Sequence, residues 1–130
     1  GAASNNTLDI MREYQLASVL HKGYNRDAEA TRAPQMLDLA TLNGAKSQGR
    51  EDCGKIVVGN RADLVMIDLN AINNIPCYDT YSTLSYSANS SNVLLTMVDG
   101  DILYHNGEFK TIDIEKLTYE FIDICEHYFD

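Results

Sequence analysis

Residues 53–69 read CGKIVVGNRADLVMIDL, and the reading of this run decides the fold class. Residues 56–58 and 64–69 are rich in branched and long apolar side chains, which suit a pleated surface. Gly59 and Asn60 stand between them as a turn signal. Asp63 is the last polar residue before 64–69, which is apolar almost throughout. A strand without polar alternation predicts burial on both faces, at the centre of a sheet.

Toward the C-terminus, residues 70–92 are rich in Asn, Ser, Thr and Tyr and predict a loop, with one turn of helix at 84–88. The run VLLTMVDGDILYHNGEF at 93–109 predicts strands at 93–98 and 102–104, joined across Asp99 and Gly100. An Asp-Gly pair between apolar runs is a strong hairpin signal. Asn106 and Gly107 predict a second turn. Asp113 then suits a helix N-cap, and Ile114, Leu117, Phe121, Ile124 and Tyr128 follow at helical spacing, which predicts an amphipathic tail helix.

Toward the N-terminus, Ser4, Asn5 and Asn6 carry N-cap chemistry, and a first helix is predicted at 6–22. Its apolar residues Leu8, Ile10, Met11, Tyr14, Leu16, Ala17, Val19 and Leu20 wrap more than one face, as in a helix buried between layers. His21 and Lys22 suit the carbonyl end of the helix dipole, and Gly23 predicts a left-handed stop. After an exposed loop, Pro34 suits the first position of a second helix. That helix points Met36, Leu37, Leu39, Ala40 and Leu42 inward and is expected to break at Asn43 and Gly44, with a short third turn ending at Gly49. The organisation is therefore terminal helices at 1–52, strands with an intervening loop at 53–112, and an amphipathic helix at 113–130. Four short strands do not cover a helix that is apolar almost all round. A large further part is expected, and the opening GAASNN reads as a loop from inside a domain, so the chain is expected to be cut from a longer one.

The chain has 130 residues, a 45% apolar fraction and a net charge of -9. That length holds one ordinary core, and the apolar fraction argues against disorder. Its ten Lys and Arg residues are scattered, which disfavours nucleic acid, whose phosphates need clustered positive charge. No apolar run approaches the roughly 20 residues of a membrane helix. Cys53, Cys77 and Cys125 are odd in number and form no CxxC pair, as expected of free thiols in a reducing cytoplasm. His21, His105 and His127 share no ligand spacing. Asp9, Asp27, Asp38, Asp63 and Asp68 have no histidine at such spacing either, so neither a metal site nor a catalytic group is expected in this chain.

The segments GAASNNTLDI, LDLATLNGAKSQG, GKIVVGNRADLVMIDL and VDGDILYHNG occur here in the order found in one family. The chain resembles the C-terminal portion of metal-dependent amidohydrolases, in the branch of methylthioadenosine/S-adenosylhomocysteine deaminases and chlorohydrolases. The resemblance runs from Gly1 to about Asp113. In one departure, Asn60 and Arg61 stand where the family usually has a lysine after the turn glycine. The resemblance implies an α/β fold: the last helices of a (β/α)8 barrel, strands of an accessory β-sandwich assembled from both chain ends, and a C-terminal helix. It also implies that Gly1 follows directly on a metal-ligating Asp of the last barrel strand, with the histidine ligands and catalytic Glu on earlier strands. Barrel active sites lie at the C-terminal ends of the strands, so Ser4, Asn5 and Asn6 are the residues expected nearest the substrate. Capping of the first helix is their structural alternative. Asp63 is structural in the family.

Two readings of function follow. In one, the chain is the C-terminal part of a cytoplasmic amidohydrolase that uses zinc or iron to deaminate or dechlorinate an amino-substituted heteroaromatic ring, such as an adenosine derivative. Its partners would be the N-terminal remainder of its own chain, the small-molecule substrate and a possible second copy, with no nucleic acid and no membrane. In the other, it is a free-standing, non-catalytic binding or scaffold module.

Overall fold

The computed structural model describes residues 6–129. Three helices come first: α1 (Ile10–Asn25), α2 (Ala33–Ala40) and α3 (Leu42–Ser47). Strand β1 (Leu64–Ile67) precedes α4 (Thr80–Tyr86) and a 3-10 turn (Ser90–Asn92). The chain then forms β2 (Val93–Val98), β3 (Asp101–His105) and β4 (Glu108–Phe109), and ends in α5 (Ile114–Phe129). The four strands form one antiparallel sheet in the order β1-β2-β3-β4. No helix among the described residues is long and apolar enough to cross a membrane.

The hairpins form where the sequence predicts them. Asp99 and Gly100 have φ of 53° and 90°, and Asn106 and Gly107 have φ of 49° and 91°. Two successive left-handed residues make the tight turn whose twist matches that of the strands it joins. Asp113 caps α5 by accepting the Lys116 N–H at 3.0 Å.

Several boundaries differ from the sequence expectation. The first helix begins at Ile10, because Asp9 accepts the N–H groups of Met11 and Arg12 at 3.0 and 3.2 Å. Asn6 lies before the helix and is not its cap, while Ser4 and Asn5 fall outside the described residues. Gly23 does not stop α1. The helix runs through it to Arg26, whose φ of 53° turns the chain. Pro34 is second in α2, after Ala33. Asn43 and Gly44 lie inside α3, and the break falls at Thr41, whose hydroxyl donates to the Leu37 carbonyl at 2.6 Å. An Asn-Gly pair marks a turn only where both residues can take positive φ; here the helix backbone claims them. Gly49 does end α3, with Arg50 N–H returning to the Ala45 carbonyl and Gly49 N–H to that of Lys46. The turn of helix predicted at 84–88 is two turns long and starts earlier, where Asp79 accepts the Ser82 N–H at 2.8 Å.

Two strand expectations are overturned. Residues 56–58 form no strand, and Ile56 and Val58 are 89% and 103% exposed. The run 64–69 yields only the four residues of β1, and these lie at the edge of the sheet with Val65 59% exposed. A strand apolar on both faces needs a layer on each side and a neighbour on each edge; within these residues β1 has one neighbour.

The core is small. Met11 and Tyr14 of α1 meet Met36 of α2 and Ala88, with Leu37, Ala40, Ile67 and Leu84 packed around them. The most completely buried side chains are Ser18 and Ser85, and no buried side-chain nitrogen or oxygen among the described residues lacks a hydrogen bond.

Candidate functional site

Of Ser4, Asn5 and Asn6, the residues predicted nearest a substrate, the structure describes Asn6, which lies ahead of Thr7, Leu8 and the capping Asp9. Asn6 is exposed, with φ of 56°, a left-handed conformation that asparagine tolerates better than most residues. Thr7 then accepts the Asp9 N–H on its hydroxyl at 3.2 Å. Asp9 divides its carboxylate between two tasks. One oxygen caps α1, and the other accepts the Ser90 N–H at 3.2 Å from 81 residues away. Burial pushes the Asp9 carboxyl upward. Hydrogen bonds from the Ser90 side chain and from the backbone of Arg12, Ser90 and Met11 together outweigh it and hold the group below the usual carboxylate range.

Ser90 is itself held firmly. Asn89 accepts the Ser91 N–H and hydroxyl at 2.9 and 2.6 Å, and the Asn92 side chain accepts the Asn89 N–H at 3.0 Å. Asn73 and Asn92 exchange side-chain hydrogen bonds at 2.9 and 3.1 Å. Asn92 is buried, so these amides are fixed rather than solvated. Beside this loop a cavity of about 710 Å³ is lined by Leu8, Ser90, Val93, Leu103, Tyr104 and Phe109, among others.

Asp63, Asp27 and Asp68 bind backbone N–H groups of the fold. Asp63 accepts the Asp99 N–H at 2.8 Å and pairs with Arg50 at 2.8 Å, joining the end of α3 to the β2–β3 hairpin. Arg61 extends the network to Asp52 at 2.6 Å and Asp99 at 3.3 Å. The Asp99 N–H, followed by Arg50, holds the Asp63 carboxyl below its ordinary value against a burial effect in the other direction. Asp27 and Asp68 each accept a backbone N–H two residues on, and Asp38 is exposed on α2.

His21 lies on α1, His105 ends β3, and His127 lies on α5 with its Nδ1 2.8 Å from the Asp123 carbonyl. Among the described residues no three His, Cys, Asp or Glu side chains are grouped to hold a metal ion. Cys53 is buried, Cys77 exposed and Cys125 half-buried; all three are free.

The Asp9–Ser90 link is the feature that sequence reasoning misses. Asp9 directly precedes the apolar run and has as good a capping signal as Ser4, Asn5 or Asn6. Nothing in the sequence pairs it with Ser90.

Comparison with known proteins gives a consistent result. The profile of the Amidohydrolase family matches residues 1–103. The 5-methylthioadenosine/S-adenosylhomocysteine deaminase of Caldicellulosiruptor saccharolyticus is 44% identical over 119 residues, which cover 92% of this chain and 28% of that protein. Among solved structures, an adenosine deaminase from Xanthomonas campestris with bound zinc matches with a TM-score of 0.89 and 36% identity, over 92% of this chain and 28% of that one. Atrazine chlorohydrolase from Arthrobacter aurescens, complexed with zinc, matches with a TM-score of 0.81 and 26% identity, over 92% and 27%. The chain thus spans a little over a quarter of the length of the relatives it matches.

Proposed function

The chain belongs to the amidohydrolase family, and on that premise we propose that it is the C-terminal part of a metal-dependent enzyme that hydrolytically deaminates an adenosine-type ring. Dechlorination of a related amino-substituted heteroaromatic ring is the variant of the same chemistry. The observation that carries the reading is the 44% identity to a methylthioadenosine/S-adenosylhomocysteine deaminase over nearly the whole of this chain. In this reading α1–α3 are the last helices of a (β/α)8 barrel, β1–β4 contribute to an accessory β-sandwich, and α5 is a terminal helix. The divalent metal, zinc or iron, and the groups that act on the ring belong to the remainder of a cytoplasmic parent. This chain supplies Ser4, Asn5 and Asn6 beside the substrate and closes the barrel's outer layer.

The surface supports the reading. The chain exposes 9937 Å², whereas a compact monomer of 14.5 kDa should expose about 6,900 Å². The excess has the size of a permanent interface, and the remainder of the parent would cover it.

The test is to express the full reading frame and to measure ammonia release from 5′-methylthioadenosine, S-adenosylhomocysteine and adenosine, with chloride release from a chlorotriazine in parallel. Turnover of at least one adenosine derivative by the full protein and none by residues 1–130 alone is the expected result. A full-length protein inert toward every one of these substrates overturns the proposal. So does a 130-residue chain that is a compact monomer with cooperative unfolding and no affinity for hydrophobic dyes, because that chain would be a self-sufficient module.

A further inference from the structure

We draw no further inference here: the strongest candidate, the open cavity of about 710 Å³ between the start of α1 and the sheet, lined by Leu8, Tyr104 and Phe109 among others, carries nothing because nothing in the structure shows what covers it.

Discussion

The two sides of α1 contrast sharply. On one side Met11, Tyr14 and Ser18 are buried against α2 and α4, with the Tyr14 hydroxyl donating to the Leu84 carbonyl at 2.7 Å and Gln15 donating to that of Tyr86 at 2.7 Å. Lys22 reaches the Tyr86 hydroxyl at 2.8 Å on the same side. On the other side Leu16, Val19 and Leu20 face outward, while Ile10 at the start of the helix and Leu8 just before it are 62% and 90% exposed. The covered face is stitched by small and polar groups, while the uncovered one is aliphatic. A self-contained domain shows the reverse, because burial of aliphatic side chains is its main driving force. Under the proposed function, the apolar face of α1, the edge strand β1 and the apolar stripe of α5 are the surfaces that the remainder of the parent would cover.

The largest effect that can break this comparison is at Val65. If the parent covers β1, Val65→Asp places an unpaired charge in an interior and should lower stability there by several kcal/mol. Within these residues the Val65 side chain is more than half exposed, so the loss would come from the cover that the parent supplies. Denaturant unfolding of the full-length wild type and variant measures it. An effect within about 0.5 kcal/mol would show that β1 is a true edge in the whole protein.

Met36 sharpens the other half of the comparison. It is 3% exposed at the centre of the internal core, so Met36→Ala should cost about 2–4 kcal/mol through lost burial and the cavity left behind. Denaturant unfolding of the full-length wild type and variant checks the loss. A cost well below that range would mean that the core around Met36 is rearranged when the remainder is present.

These two residues also show how far the sequence can be read. Alternation, turn pairs and caps placed the hairpins at Asp99 and Asn106 and the start of α5 at Asp113, because each depends on neighbouring residues alone. The apolar excess of α1 was legible too, and it stands in the structure as the exposed Leu16, Val19 and Leu20. The place of β1 in the sheet was not. A run such as LVMI at 64–67 states that both faces want cover, but the neighbours that supply it lie elsewhere, and four residues do not reveal which edge is paired. The site was less legible still. The reading from Ser4 to Asn6 came from resemblance, and the Asp9–Ser90 bond joins residues that no local pattern connects.

A smaller effect is expected at Tyr14. Tyr14→Phe keeps the ring in the core but removes the donor to the Leu84 carbonyl, which should cost about 1 kcal/mol. Burial, and then the nearby Asp9 charge, push the Tyr14 phenol upward, so it remains a neutral donor at physiological pH. Unfolding of the variant checks the cost. No loss at all would mean that the covered face of α1 is held by packing and not by its polar stitches.

The smallest effect is the acid response of the node that ties α3 to the hairpin. The folded Asp63 carboxyl is held below its ordinary value, first by the Asp99 N–H and then by Arg50. A carboxyl depressed in the folded state contributes stability that is present above its unfolded pKa and is lost as pH falls through the folded one. Asp63→Asn cannot titrate, so the gap in stability between wild type and this variant should narrow from neutral pH into the acid range. Arg50→Gln discriminates between the two causes. It removes the guanidinium but leaves in place the Asp99 N–H, the largest single cause. Part of the acid dependence assigned to Asp63 should therefore survive in Arg50→Gln and vanish in Asp63→Asn. Unfolding midpoints of the full-length proteins across the acid range give the answer. Loss of the dependence in both variants would make the ion pair, and not the hairpin backbone, the element that fixes Asp63 and with it the start of β1.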